Sequence, residues 1–249
     1  MVAALAGKVA LVTGATGGIG SQIVRRLAQE GASVVVGYNS SRQAADELAS
    51  SLAAGDHLVA GAAVTDSDGL ARLAGLIHER FGRLDILVNC AGVTRFVLHS
   101  DLDGLDDALI DRILTVNVRG VIATTRAMRP LLDRAGEGLI ANISSIAGVT
   151  AMGSNIAYCA SKAAVDNLTK SLARALAPKI RVVSVSPGVV DTDFIKGRDE
   201  SWRDEQANRT PLRRLGTPDD VAEAVLAAAT HLRFATGVII PVDGGRPLT

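Results

Sequence analysis

Val9-Ala10-Leu11-Val12-Thr13-Gly14-Ala15-Thr16-Gly17-Gly18-Ile19-Gly20 runs from an unbroken apolar stretch into a cluster of glycines. Four apolar residues in a row, Val9 to Val12, suit a strand of a parallel sheet buried on both faces. Beyond the glycines, Ile19, Ile23, Val24 and Leu27 recur at helical spacing. Glycines let the backbone turn sharply and come close to a ligand. The start of the helix then offers free N–H groups and a positive dipole end, which stabilise a pyrophosphate. In this strand–turn–helix setting the cluster predicts a dinucleotide site, with a tight structural turn as the plainer alternative. Its candidate contacts are Gly14, Thr16, Gly18, Ile19 and Gly20. Two glycine spacings fit: Gly14, Gly18 and Gly20, or Gly14, Gly17 and Gly20. The turn alone does not separate them.

The same unit repeats outward from this stretch. Gly31 ends the first helix, and Ser33–Val36 reads as the next strand. Helix Arg42–Ala54, strand His57–Ala62, helix Asp66–Phe81 and strand Asp85–Asn89 follow. A long helical stretch lies between about Leu105 and Arg134, before strand Leu139–Ile143. Helix Ile156–Ala177, strand Arg181–Val185, helix Pro218–Thr230 and strand Val238–Val242 complete the chain. Alternation of this kind implies right-handed crossovers and a parallel sheet covered on both faces. We therefore expect an α/β chain in one domain, residues 1–249: a Rossmann fold with a doubly wound parallel seven-stranded sheet and helices on both faces. Asp191–Thr217 is the least regular segment, charged and bounded by Gly188, Pro211 and Pro218, and reads as a surface loop serving as a substrate lid.

Composition narrows the partners. Formal net charge is zero with no run of like charges, so nothing favours nucleic acid or an anionic membrane. Aromatics are only 3% of residues, so the core must be aliphatic. Cys90 and Cys159 give neither a disulfide framework nor a metal-site spacing, so no metal is expected and a reducing cytoplasm is the simplest location. Met1–Gly7 has no apolar core long enough for a signal peptide, and no apolar stretch reaches a membrane span.

Tyr158-Cys159-Ala160-Ser161-Lys162 carries the chemistry. On a helix, residues four apart share a face. A free tyrosine has a pKa near 10 and exchanges protons poorly at neutral pH. A neighbouring ammonium favours the phenolate, so the pair suits proton exchange with an alcohol or carbonyl oxygen. Alone, such a pair is usually coincidence. Ser145 lies just after a strand, where parallel-sheet sites form, and its hydroxyl can hydrogen-bond a substrate oxygen as charge develops. Asn117 is a polar residue inside an apolar helical stretch; a core asparagine satisfied by backbone is the plainer reading.

Nucleotide choice turns on Gly37-Tyr38-Asn39-Ser40-Ser41-Arg42, at the end of the second strand. NAD sites of this type place a carboxylate there to bind the ribose 2′-hydroxyl. This segment has none. Asn39, Ser40 and Arg42 suit a 2′-phosphate instead, so NADP is favoured over NAD, although Arg42 also reads as a solvated helix-start residue.

At this point the sequence resembles the classical short-chain dehydrogenase/reductase family, and its 3-oxoacyl-acyl-carrier-protein reductase group in particular. The likeness spans essentially the whole chain. Asn89-Cys90-Ala91-Gly92 is similar to the family's NNAG motif, with Cys90 in place of the second Asn. Pro187-Gly188 with Val190 and Thr192 is similar to its PGxxxT segment. Pro211–Pro218 and Val242–Gly245 resemble its C-terminal part. Short length and the PG segment favour the classical branch, whose glycines are Gly14, Gly18 and Gly20, over the extended branch with its epimerases.

The resemblance implies roles. Tyr158 is the acid–base residue, and Lys162 lowers its pKa and holds the nicotinamide ribose. Ser145, rather than Ser144, orients the carbonyl. Asn117 anchors a water in a proton relay. Asn89, Ala91 and Gly92 line the cofactor, with Pro187 and Gly188 beside it, while Val190 and Thr192 hold the carboxamide. Ala63 departs from the family's Asp, which leaves adenine contacts to the Val64 backbone; Val183 replaces a frequent Asn. The implied substrate is a small carbonyl or alcohol, or a 3-oxoacyl thioester on an acyl carrier docking near Arg134 and Lys179. The pocket would be lined by Arg95, Phe96, Met152, Gly153 and the lid. A homo-oligomer, commonly a tetramer, is also implied, and Val165, Leu168, Leu172 and Leu176 are compatible with one. The competing reading is a catalytically silent nucleotide-binding sensor or assembly protein; a sugar-nucleotide epimerase is third.

Overall fold

The computed structural model describes residues 3–192, 194 and 199–248. Seven strands form one sheet in the order β3-β2-β1-β4-β5-β6-β7, every neighbouring pair parallel. They are β1 (Val9–Thr13), β2 (Ser33–Tyr38), β3 (Leu58–Gly61), β4 (Ile86–Asn89), β5 (Gly138–Ile143), β6 (Ile180–Pro187) and β7 (Ile239–Val242). The apolar run that opened the sequence is β1, buried throughout at the sheet's centre. This is the doubly wound sheet the alternation predicts.

Helices cover both faces. On one side α1 (Gly18–Gln29), α2 (Arg42–Ser50) and α9 (Pro218–Thr230) pack Ile23, Leu27, Leu48, Val221 and Val225 against Val12, Val34 and Val185. On the other, α3 (Ser67–Phe81), α5 (Gly120–Ala135) and α7 (Ile156–Leu176) pack Leu70, Ile77, Met128 and Ala173 against Leu11, Leu87 and Ile140. Leu172 and Leu176 lean on that second core, so sheet packing accounts for them. Between α4 (Asp107–Leu114) and α5 the chain widens into a π turn, Thr115–Arg119, which holds Asn117. A short helix, α6 (Ala147–Thr150), follows β5. Among the described residues, no helix is long and apolar enough to cross a membrane.

Capping explains several boundaries. The Asp66 carboxylate accepts the Gly69 N–H at the start of α3, and Gly82 closes its end with φ +72. Thr217 and Asp220 form a reciprocal capping box on α9, with Pro218 in its first turn.

One expectation needs correction. Asp191–Thr217 is not simply loop, because it contains α8 (Glu200–Asn208), capped by the Asp199 side chain on the Trp202 N–H. Its sequence is so polar that only Gln206 is buried, and no apolar period announced the helix. Asp193 and residues 195–198 of the proposed lid lie outside the described residues. The segment's two ends meet in a bridge between Val190 and Gly216.

Candidate active site

Strand order reverses direction between β1 and β4, and a crevice opens at their carboxyl ends. Gly14, with φ +64, sits so close to β4 that a Cβ there would stand 2.9 Å from Ala91 Cα. A Cβ on Gly20 would stand 2.3 Å from the Gly14 carbonyl oxygen. On Gly18 it would meet Thr192 Cγ2 at 2.8 Å, whereas on Gly17 its nearest neighbour is 3.4 Å away. Backbone closeness therefore excludes a side chain at Gly14 and Gly20, which both spacings share, while at Gly18, which belongs to the first, the crowding comes from the Thr192 side chain. Thr13 Oγ1 accepts from the Cys90 and Ala91 N–H groups, both at 3.2 Å, and binds the two strand ends together.

A cavity of about 800 Å3 runs from this turn across the strand ends. The predicted residues Gly14, Thr16, Gly18, Ile19, Gly20, Asn39, Ser40, Ala91, Gly92, Ser145, Tyr158, Lys162, Pro187, Gly188, Val190 and Thr192 all line it. A glycine cradle at the start of α1 fits a pyrophosphate, and the far end of the cavity holds the proton-transfer candidates.

Three predicted cofactor residues lie off this wall. Asn89 is buried beneath it, where its Nδ2 donates to Asn142 Oδ1 at 2.9 Å. Val64 turns its side chain to the backbone of Gly120. The side chain of Arg42 is 73% exposed and faces Asp46 at 3.5 Å, one turn on in α2.

Asn155 sets the tyrosine. Its Oδ1 accepts the Tyr158 N–H at 2.7 Å and caps α7, while its Nδ2 donates to the Arg95 carbonyl at 2.7 Å. The sequence reading missed it, although an Asn three residues before the tyrosine is a capping signal. Lys162 is buried, donates to the Ile143 carbonyl at 2.8 Å and lies 5.6 Å from the centre of the Tyr158 ring. Ser145 Oγ accepts the Ala147 N–H at 3.1 Å. Ser144 instead donates to the Lys162 carbonyl at 3.3 Å, which leaves Ser145 as the strand-end hydroxyl of the site.

Electrostatics differ from the simple expectation. Burial pushes the Tyr158 hydroxyl up to about 12; a hydrogen bond with Ser145 pulls it down, and Cys159 raises it slightly. Loss of solvent brings Lys162 down to about 8, against the favourable fields of Cys90 and Asp166. Removal from water thus dominates at both groups, and the Lys162 ammonium stands by the tyrosine ring and bonds Ile143. Burial also holds the Cys90 thiol up at about 11, so it is protonated and inert at neutral pH.

Asn117 is buried and its amide is fully engaged. Oδ1 accepts the Val93 N–H at 2.8 Å, and Nδ2 donates to the Val93 carbonyl and to Ser161 Oγ, both at 3.1 Å. It pins the strand-end loop to α7 beside the tyrosine and lysine.

Of the expected pocket residues, Phe96, Met152 and Gly153 line the cavity, but Arg95 is turned to the Asp106 carboxylate at 2.9 Å. Trp202, Gln206 and Arg209 reach the cavity from within Asp191–Thr217, the segment expected to line it, whereas His99 and Arg246 were not anticipated.

Known proteins resemble this chain in sequence and fold. Residues 14–246 match the family model described as Enoyl-(Acyl carrier protein) reductase. A 3-oxoacyl-[acyl-carrier-protein] reductase FabG from Thermotoga maritima is 36% identical over 97% of this chain and 98% of its own. A cis-4-hydroxycyclohexanecarboxylate dehydrogenase from Sinomonas cyclohexanicum is 38% identical over 97% of each. A crystal structure of a short-chain dehydrogenase/reductase, described as a glucose/ribitol dehydrogenase, from Brucella melitensis superimposes with a TM-score of 0.90 at 30% identity, covering 99% of both chains.

Proposed function

The chain belongs to the short-chain dehydrogenase/reductase family, and from that premise we propose that it transfers a hydride between NADP and a carbonyl or secondary alcohol. The carrying observation is that Ser145, Tyr158 and Lys162 face the same cavity as the glycine cradle. When bound, the nicotinamide supplies or accepts the hydride.

The chain's own residues handle the proton. Tyr158 stays neutral through the physiological range because burial raises its pKa, so in reduction it donates to the substrate oxygen. Ser145, which lines the cavity with Tyr158 and favours its ionised form, is placed to bond the same oxygen as negative charge builds on it. The Lys162 ammonium stabilises the phenolate left behind and is within the wall that would meet the nicotinamide ribose. Asn117 fixes the surroundings of Lys162; with its amide engaged, a relay water would find its partner in the backbone of the π turn.

The absence of a carboxylate in residues 38–42 supports NADP over NAD. Both curated relatives are named for reactions at a carbonyl or a ring alcohol, which supports the reaction type but leaves a 3-oxoacyl thioester as one candidate among small ketones. The test is twofold. NADPH and NADH are titrated by fluorescence, and a carbonyl panel is screened by NADPH depletion. Tighter NADPH binding with turnover of at least one ketone supports the reading; no nicotinamide binding refutes it.

A further inference from the structure

The start of α7 is fastened to a loop with no regular structure of its own. Residues 93–99, beyond the end of β4, form neither helix nor strand, and they place Phe96 and His99 in the cavity wall. The Val97 N–H donates to the Ser154 carbonyl at 2.9 Å, and His99 Nε2 lies 3.2 Å from the Gly153 carbonyl oxygen. Thr94 Oγ1 and Ser154 Oγ are hydrogen-bonded to each other. At the centre of this seam is the Asn155 amide, only 1% exposed and standing behind the cavity lining. Its Nδ2 donates to Thr94 Oγ1 at 3.2 Å and to the Arg95 carbonyl at 2.7 Å, while its Oδ1 accepts the Tyr158 N–H at 2.7 Å.

Capping alone does not call for asparagine at this position. Ser and Asp serve a helix start about as well, because each offers an oxygen to the N–H three residues on. The loop asks for more. Among capping side chains only the asparagine amide joins an acceptor oxygen to two N–H donors. All three are used here, one on the helix and two on the loop. Asn117 makes a matching tie beyond the tyrosine, bonding both backbone groups of Val93 and Ser161 Oγ. The loop is therefore pinned to α7 on either side of Tyr158, at Asn155 and at Ser161.

We propose that Asn155 is a positioning residue that fixes the wall carrying Phe96 and His99 against Tyr158, and thereby sets which carbonyl compounds present their oxygen to the tyrosine. This rests on the oxidoreductase reading above. One rigid amide makes both sets of bonds, so a displacement of the loop is carried to the helix start. If the cap is kept and the two donors are removed, Tyr158 stays placed while the wall loosens. Substrates are then held less tightly and sorted less by size, with the chemical step little changed.

The test separates the two halves of the amide in the intact enzyme with NADPH. Asn155→Ser keeps an oxygen for the Tyr158 N–H and removes both donors, and Asn155→Ala removes everything. Thr94→Val deletes one acceptor and leaves Asn155 itself intact, so it reads the seam even if the Asn155 variants fold poorly. Cyclopentanone, cyclohexanone and cycloheptanone supply ketones of graded size. In Asn155→Ser the KM of the best ketone should rise about tenfold, with kcat within about threefold of wild type and kcat/KM evened out across the series. Thr94→Val should move KM the same way by less. Asn155→Ala should lose about a further fivefold in kcat. A turnover-independent arm follows backbone amide exchange by mass spectrometry. Residues 93–99 should exchange about tenfold faster in Asn155→Ser while residues 158–162 keep wild-type protection, and both segments should exchange faster in Asn155→Ala. Unchanged exchange of residues 93–99 in Asn155→Ser, or a fall in kcat equal to that of Asn155→Ala with KM and size preference untouched, overturns the proposal. If none of the three ketones turns over, the exchange result alone decides it. Failure of the wild-type protein to bind either nicotinamide is a separate result that sinks the oxidoreductase reading.

Discussion

The Lys162 ammonium donates to the carbonyl of Ile143 at 2.8 Å, so the helix that carries Tyr158 is tied to the strand that delivers Ser145. One side chain thereby sets the spacing of two others on different elements. Loss of Tyr158 should accordingly be a chemical loss rather than a structural one. We expect Tyr158→Phe to lower kcat by about a hundredfold to ten-thousandfold and to keep nicotinamide affinity within a few fold. A mutant that binds cofactor and still turns over at the wild-type rate would show that the fold acts as a silent nucleotide sensor.

The lysine predicts a pH profile. Its pKa lies below the ordinary 10.5, at about 8, so it is charged below that pH and neutral above it. Tyr158 keeps its proton to about 12 and supplies no break nearer neutrality. Reductive kcat/KM should be level below about pH 8 and decline above it, and in Lys162→Met the break should vanish along with most of the activity. A wild-type profile flat from pH 7 to 10 would contradict this.

The glycine turn makes a paired prediction. Gly20→Ala forces a methyl to 2.3 Å from the Gly14 carbonyl oxygen and should abolish nicotinamide binding. Gly17→Ala meets nothing nearer than 3.4 Å and should bind normally in the same fluorescence titration. Equal tolerance at both positions would mean that the cradle is not built as described.

Arg42 tests the choice of nucleotide. Because its side chain is 73% exposed and already near Asp46, its effect on a 2′-phosphate is modest. Arg42→Ala should weaken NADPH by about twofold to fivefold and leave NADH unchanged. A parallel loss for both nucleotides would remove Arg42 from the site.

Stability offers an independent check on the capping of α9. Thr217→Ala removes the hydroxyl that accepts the Asp220 N–H and should cost about 1 kcal/mol, seen as a Tm lower by about 2–4 °C. A Tm at the wild-type value would show that Asp220 alone holds the helix start.

Much of this was legible in order along the chain. The run Val9–Val12 became the central strand because it is apolar on both faces, and Tyr158 and Lys162 share a helical face because they are four apart. What stayed hidden depended on contacts distant in sequence. Asn89 reads as a cofactor residue by its motif, yet its amide turns down to Asn142 on the next strand. The tyrosine's own ionisation was misjudged because spacing reports nearness to an ammonium and not the loss of water around both groups. Helix α8 escaped because its inward face is built from Gln206 rather than from aliphatic residues. Arg246 gave no signal at all, being an ordinary arginine three residues from the end of the chain.

The bridge between Val190 and Gly216 has a consequence for how such a protein can diversify. It closes the intervening segment into a loop whose two ends are fastened at one point, next to Thr192 and just before the cap of α9. A replacement of different length that restores those two anchors leaves the sheet's strands in place, but it must also keep Phe194, whose ring lies 6.2 Å from that of Tyr158, and Thr192, which packs on Gly18. Grafting another enzyme's segment between those anchors with Thr192 and Phe194 kept is therefore expected to change which substrate turns over before it changes nicotinamide binding.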